Sequence, residues 1–505
     1  MAETGIVGRI AAGHEGAPAI LAPDRPLLSH GGLRRQMRGT VARLNQLGIG
    51  RGDRVAIVLP NGPEMASAFV SVAAAATTAP LNPAYRADEL EFYLTDIGAK
   101  AILVAFDEAG PSVQVAERLG IAVLRLIFDP VDPAGVFTIE GRAVGPAVNT
   151  GASGDDDVAL LLHTSGTTSR PKLVPLSHAN VAASARHIAA SLALKAEDRC
   201  LNIMPLFHIH GLIAATLSSL AAGGSVYCTP GFNALRFFAS LADAKPTWYT
   251  AVPTMHQAIL ARAGRNAEII AANRLRLIRS SSASLPPQVM AELEATFGCP
   301  VIESYGMTEA AHQMASNPLP PLARKPGSVG LAAGPDVAVM DLDGNLLPPD
   351  SEGEIVIRGP NVTAGYEHNP EANRSGFAHG WFHTGDQGTM DSEGYVRVTG
   401  RLKEIINRGG EKISPLEVDV VLMDHPAIAQ CVTFAMPHDK LGEEVAAAVV
   451  LREGMVAIER EIRDFAATRL ADFKVPRKVL ILEEIPKGAT GKLQRIGLAA
   501  KLGLG

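Results

Sequence analysis

A chain of 505 residues is longer than one hydrophobic core usually organises, so two or more domains are expected. The formal charge is −6 with Lys and Arg scattered along the chain, which argues against a nucleic-acid partner and leaves room only for local anion sites. The most apolar window, 66–81, falls short of a membrane span and runs into Pro80, so it reads as a buried helix followed by a strand, and no membrane partner is expected.

The four cysteines, Cys200, Cys228, Cys299 and Cys431, have neither metal-ligand nor redox spacing and fit buried thiols in a reducing cytoplasm. The first residues, MAETGIVGRI, do not read as a secretory signal, and the final KLGLG does not read as a peroxisomal one.

Residues 1–150 alternate helical and strand patterns. Helical spacing covers 33–47, 64–75 and 87–97, and strands are expected at 54–59 and 101–105. Such alternation predicts a largely parallel sheet with helices on its faces. The polar, Gly-rich stretch 145–157 reads as a surface loop. An apolar run at 158–162 then reads as a buried strand.

Behind that strand lies a loop dense in small hydroxyl residues: Thr164, Ser165, Gly166, Thr167, Thr168 and Ser169, closed by Arg170, Pro171 and Lys172. Small residues let a backbone approach a phosphate closely and aim several N–H groups at it. The hydroxyls add donors, and the two cations add charge. The spacing is not that of a Walker loop. A flexible Ser/Thr/Gly linker is the plain alternative, but a linker needs neither a basic end nor a place between a buried strand and the helix expected at 180–192.

The alternation resumes with strands at 200–204, 225–228, 248–252, 275–280 and 301–304 and a helix at 287–297. The segments PLFHIHGL, SSSASLPP and YGMTE follow the carboxyl ends of strands, where open α/β sheets bind ligands. Short strands at 337–340, 353–358 and 394–399, with turn signals at Asp343-Gly344 and Glu393-Gly394, read as a small β-rich subdomain. A boundary is placed at 401–404. Beyond it, helices at 415–423 and 458–470 and strands at 431–435, 446–451 and 478–482 form an α+β unit large enough to fold by itself. The expected fold class is therefore α/β, with a large N-terminal part of mostly parallel sheets, a β-rich subdomain and a small C-terminal α+β domain.

Five segments occur in one order: HTSGTTSRPK (163–172), SYGMTE (304–309), WFHTGD (381–386), GRLKEIINRGGEKISPLEV (400–418) and PKGATGK (486–492). Together they resemble the acyl-adenylate-forming superfamily of acyl- and aryl-CoA synthetases, luciferases and peptide-synthetase adenylation domains. The likeness covers nearly the whole chain. Within the superfamily, MPLFHIHGL, MTEAAHQMASNPLP, KPGSVG, RGPNVTAGY and NPEAN look most like the oxalyl-CoA synthetase (oxalate–CoA ligase) branch. Many relatives carry Gly after the loop lysine, where this chain has Leu173. Ordinary backbone dihedrals are expected there.

The resemblance implies ATP and CoA as co-substrates and Mg²⁺ as cofactor. It implies that residues 1–400 are an adenylate-forming domain holding the ATP and acid sites. Residues 401–505 would be a mobile domain carrying the catalytic lysine. Thr164 to Ser169 and Lys172 would hold the β- and γ-phosphates. Tyr305 and the Ser282-Ala283 backbone would sandwich the adenine, and Glu303, Ser304, Gly306 and Met307 complete the ATP-binding set. Thr308 would contact the α-phosphate, Asp386 would accept from the ribose hydroxyls, Arg401 would face ribose or phosphate, and Glu309 would ligate Mg²⁺. Lys492 would bind the carboxylate and α-phosphate oxygens during adenylation, with Thr308 and His208 as further catalytic groups. Rotation about a hinge at Lys403 would then bring Arg408, Gly409 and Gly410 to the passage for CoA.

The acid pocket is expected around His208, His210, Ser281, Ser282 and His312. A fatty-acid pocket would want apolar walls, whereas imidazoles and hydroxyls suit a second carboxylate on a very small acid. No acidic residue lies between Met204 and Leu212 to pair with a substrate amine, which argues against an amino acid. His163, His178 and His383 read as structural. The expected reaction activates oxalate as acyl-AMP with release of pyrophosphate and then forms oxalyl-CoA. A CoA ligase for malonate, a short-chain fatty acid or an aryl acid is the alternative within the class. A non-catalytic nucleotide-binding partner protein is the alternative outside it. A hydride-transferring enzyme would need a Gly-x-Gly-x-x-Gly turn after its first strand, which is missing. Monomer and homo-oligomer are both left open.

Overall fold

The computed structural model describes residues 5–10, 13–164, 171–488 and 491–505. Among the described residues the chain builds four sheets. The first has seven strands, in the order Thr138–Glu140, Ala122–Ile127, Ala101–Ala105, Arg54–Val58, Thr77–Pro80, Val158–His163 and Leu173–Ser177. Its inner strands pair parallel and its two edges pair antiparallel. The second has nine strands. From Val301–Met307 through Leu277–Ser281, Trp248–Ala251, Arg199–Asn202 and Ser225–Cys228 to Pro18–Leu21 its neighbours run parallel. This is the α/β architecture expected from the alternating patterns.

The helices are where local signals put them. Pro63–Ala73, Pro287–Phe297 and Pro415–Met423 each carry proline in the first turn, where the missing N–H costs no hydrogen bond. Ala87–Ile97 and Pro287–Phe297 each stop at a left-handed glycine, Gly98 and Gly298. The apolar window resolves into the buried helix Pro63–Ala73 and the buried strand Thr77–Pro80. No helix among the described residues is long and apolar enough to cross a membrane. All four cysteines are buried free thiols.

The third sheet is antiparallel and joins Asp336–Met340, Gly353–Arg358, Trp381–Met390, Phe377–Ala378 and Val396–Arg401. The fourth lies wholly within residues 406–481: Glu411–Ile413, Ile406–Arg408, Gly442–Leu451, Ile428–His438 and Lys478–Ile481. The helix Pro415–Met423 packs on Ile428–His438, and Glu459–Ala467 packs on Lys478–Ile481.

Of the strands that went unread in the sequence, two bear on the site. Leu173–Ser177 pairs antiparallel with Val158–His163, so the hydroxyl-rich loop joins two strands of a hairpin rather than a strand and a helix. Leu173 stands opposite His163 in extended backbone and is buried, as its ordinary dihedrals were expected to allow. The helix then starts at His178, two residues earlier than read, because Ser177 caps it: Ser177 Oγ accepts from Asn180 N at 3.1 Å.

The other of these two, His312–Ser316, folds back on Val301–Met307 after the tight turn Thr308–Ala310. The turn is paid for by Ala311 and His312 at φ 47° and 103°, a region L-residues avoid. Gly306 lies against it so closely that a Cβ would stand 1.7 Å from His312 O. Gly306→Ala is therefore expected to lower stability by about 3 kcal/mol or more, read as a fall in the thermal unfolding midpoint.

Candidate active site

The strand Val301–Met307 delivers most of one wall. Tyr305 O–H donates to Asp386 Oδ2, and Arg401 Nε donates to Asp386 Oδ1 at 2.9 Å. Asp386 and Arg401 are cross-strand partners in the third sheet, which sets their side chains together. Asp386 is buried, and its carboxylate holds the Arg401 guanidinium firmly charged. Burial and the same carboxylate push the Tyr305 phenol upward, so it remains a donor. Gly306 and Met307 complete the strand, and Thr308 opens the turn behind them, half-buried.

Glu303 and Ser304 act on the neighbouring loop. Glu303 Oε1 accepts from Leu285 N at 2.8 Å, and Ser304 O accepts from Ser281 Oγ at 2.9 Å. Ser281 thus spends its proton on its neighbour strand, with which it is in register. Ser282 follows at φ 74°, a strained conformation that turns the chain out of the sheet toward Ala283.

On the phosphate side, Thr164 N donates to Lys172 O at 3.0 Å and closes the hairpin. Ser165, Gly166, Thr167, Thr168 and Ser169 lie outside the described residues. The Lys172 ammonium sits 4.4 Å over the Tyr366 ring, and the Tyr366 hydroxyl donates to Glu309 Oε1 at 2.8 Å. Burial raises the Glu309 carboxyl against the pull of Tyr366 and Lys172. Burial lowers Lys172, and Glu309 counters it.

The C-terminal part contributes Lys492. Its loop is held to the large part by Thr254 Oγ1, which donates to Gly491 O at 2.7 Å. Burial and the Arg401 charge push the Lys492 amine down to about 8, against the pull of Asp386. The Lys492 charge in turn lowers His208, His210 and His312, whose basicity burial has already reduced.

These three imidazoles converge as expected. His210 is fully buried, with Nδ1 3.0 Å from Ser282 Oγ and Nε2 2.6 Å from Thr250 Oγ1. Its ring meets His312 edge-on at 5.0 Å. His208 Nδ1 accepts from His210 N at 3.3 Å. The other histidines are structural: His163 pairs with Asp96, His178 accepts from Ile6 N, and His383 pairs with Glu354.

The predicted CoA residues are not brought to this cleft. Arg408 pairs with Glu444, Gly409 N donates to Leu441 O, and Gly410 N donates to Asn407 Oδ1, all within the fourth sheet's own unit. Lys403 lies in an exposed turn between the third and fourth sheets, near enough to Lys172 to depress it.

Three residues were missed. Tyr366 stands in the quoted RGPNVTAGY segment, but nothing local marks it as the link between Lys172 and Glu309. Thr250 is one of many strand threonines. Arg279 shares the expected strand 275–280 with Arg276, and nothing local marks it as the one that is fully buried, where charge is rare. It is 0% exposed and has no carboxylate partner among the described residues.

Glu303 generates a pH prediction. Burial raises its carboxyl from 4.5 to about 8, and Oε2 has no partner among the described residues. The folded chain keeps the proton that the unfolded chain loses, so stability is full below pH 4.5 and declines as pH rises toward 8. Glu303→Gln, which cannot ionise, should abolish this component, on the order of 3 kcal/mol. Thermal midpoints of both proteins between pH 5 and 8 check it, and parallel slopes would sink it.

Comparison with known sequences and structures bears on the family. Residues 8–367 match the family model described as AMP-binding enzyme, and residues 417–492 match that of the AMP-binding enzyme C-terminal domain. An oxalate–CoA ligase of Arabidopsis thaliana is 46% identical over 490 residues, covering 94% of this chain and 95% of that protein. An oxalate–CoA ligase of Saccharomyces cerevisiae is 42% identical over 474 residues, covering 88% and 86%. The crystal structure of ATP-bound MatB from Rhodopseudomonas palustris superposes with a TM-score of 0.86 at 31% identity and covers 97% of both chains. With both family models matched in order and the first spanning well over half its length, the chain belongs to the AMP-binding enzyme family.

Proposed function

We propose that the protein is an AMP-forming acid–CoA ligase and that its acid is oxalate. The observation that carries this reading is the place of Lys492, whose charge acts both on the Asp386–Arg401 pair and on the three imidazoles. One lysine thus bears electrostatically on both the pair proposed for the ribose and the imidazoles proposed for the acid. The identity to the two oxalate–CoA ligases supports the choice of acid.

In the first step an oxalate oxygen attacks the α-phosphorus of ATP, and pyrophosphate leaves with the electron pair of the broken P–O bond. Two anions must meet, so the barrier is largely electrostatic, and fixed positive charge is the main lever. Lys492 would hold the attacking carboxylate against the α-phosphate, with Thr308 beside it. Lys172 and the loop 164–169 would retain the β- and γ-phosphates. Tyr305, Ser282 and Ala283 would hold the adenine, and Asp386 and Arg401 the ribose.

Glu309 suits a Mg²⁺ ligand, being a single buried carboxylate whose charge burial disfavours until a cation arrives. No cluster of three or more His, Cys, Asp or Glu side chains among the described residues could hold a metal alone, in keeping with an ion that also needs phosphate oxygens. When bound, Mg²⁺ would neutralise phosphate charge.

In the second step the CoA thiol attacks the acyl carbon and AMP leaves. Residues 401–505 would rotate about Lys403, withdrawing Lys492 and bringing Arg408, Gly409 and Gly410 to the pantetheine passage, while 1–400 keep the ATP and acid sites. The buried thiols suit a reducing cytoplasm.

An acid panel in a pyrophosphate-release assay, with and without CoA, tests the reading. Oxalate should give the highest kcat/KM against malonate, a short-chain fatty acid and an aryl acid. ATP binding without acid-dependent pyrophosphate release would instead favour a non-catalytic nucleotide binder. Lys492→Ala should slow adenylation by about 100-fold or more while sparing CoA transfer from preformed acyl-adenylate. Equal loss in both halves would remove the two-state role.

A further inference from the structure

The hydrogen bonds around the three imidazoles run in one direction, and their source is a fully buried side chain. A guanidinium donates and never accepts. Arg279 Nη2 lies 3.5 Å from His312 Nδ1 and 3.3 Å from Gln313 Oε1, and Nη1 lies 3.5 Å from Thr250 Oγ1. His312 Nδ1 must therefore accept, and a neutral ring then carries its proton on Nε2.

Thr250 Oγ1 accepts from Arg279 and cannot return its own proton. Among the described residues the only other partner of this hydroxyl is His210 Nε2, at 2.6 Å, so that nitrogen is the one acceptor open to the Thr250 proton. His210 Nε2 thus accepts and Nδ1 carries the proton, which it donates to Ser282 Oγ at 3.0 Å. The Ser282 hydroxyl proton is left free to point outward. His208 is set independently, because its Nδ1 accepts from His210 N and so leaves Nε2 to donate.

We propose that Arg279 is a positioning residue for substrate choice: by orienting His312 and the Thr250–His210–Ser282 chain, it makes the free polar ends of the pocket neutral donors that select an acid bearing a second carboxylate. The choice of acid rests on the oxalate reading, whereas the proton positions do not. An oxalate dianion offers only acceptors, so donors at every end match it. A half-amide such as oxamate must also donate, and finds no acceptor. The rings stay neutral because burial and the nearby charges of Arg279 and Lys492 oppose a further proton. Arg279 has no carboxylate partner among the described residues, so its field is not cancelled within the protein.

The full-length protein, labelled with ¹⁵N in its histidines and free of acid, gives the first readout. His312 should carry its proton on Nε2 and His210 on Nδ1. In Arg279→Met the His312 and His210 tautomers should redistribute, in Arg279→Lys they should be retained, and His208 should stay on Nε2 as a control for the fold. A wild-type His312 protonated on Nδ1 overturns the proposal with no variant needed. The second readout is the ratio of KM for oxamate to KM for oxalate. It should fall by about tenfold in Arg279→Met with KM for ATP unchanged, and less in Arg279→Lys. An unchanged ratio overturns the role in selection. If wild-type protein activates neither acid, the oxalate reading fails, and the wild-type tautomers still decide the direction assigned to Arg279.

Discussion

Two oxygens of one buried carboxylate tie three parts of the chain together. Asp386 belongs to the third sheet, Tyr305 comes from the end of the nine-stranded sheet, and Arg401 ends the strand that leads to the C-terminal unit. Charge-assisted hydrogen bonds of this kind are stronger than neutral ones and gain further in a poorly hydrated site. The clamp lies two residues before the exposed turn at Lys403, so the large part holds its chain firmly right up to the point where a pivot would act.

Charge in the site is arranged so that cations stay and imidazoles remain neutral. Arg279 and Lys492 bear on the buried imidazoles, and each further proton there would meet both like charges in a dry setting. The cost of keeping Lys492 charged shows in its lowered basicity. Asp386 offsets part of that cost. On the phosphate side the balance differs. Lys172 and Glu309 are of opposite sign and share Tyr366, whose ring faces the cation while its hydroxyl serves the anion. One half of the cleft therefore carries surplus positive charge, and the other holds a compensated pair beside the loop proposed to hold the triphosphate.

The elements legible from sequence are those with signals inside their own length. Ala87–Ile97 and Pro287–Phe297 show both apolar spacing and a left-handed glycine stop, and both match the structure at each end. The order of the five segments pointed to the family by resemblance, and the alternation of helical and strand patterns placed the chain in the α/β class. Leu173–Ser177 and His312–Ser316 were not legible. Each is five residues long, one contains Pro175, and the other begins at a residue with positive φ, so neither shows a clean alternation. They exist as strands because the strand preceding each one folds back and pairs with its backbone.

The same divide runs through the site. Residue types alone determined that a hydroxyl-rich anion loop, three imidazoles and a tail lysine were available, since those chemistries belong to the side chains themselves. Which of them face one another, and which nitrogen of each ring is free, only the tertiary structure decided. Arg279, Thr250, His210 and Ser282 form one chain of hydrogen bonds whose partners stand 29, 40 and 72 residues apart. A hydrogen bond reaches about 3 Å, so its direction is set by sheet register and loop strain that bring remote segments together.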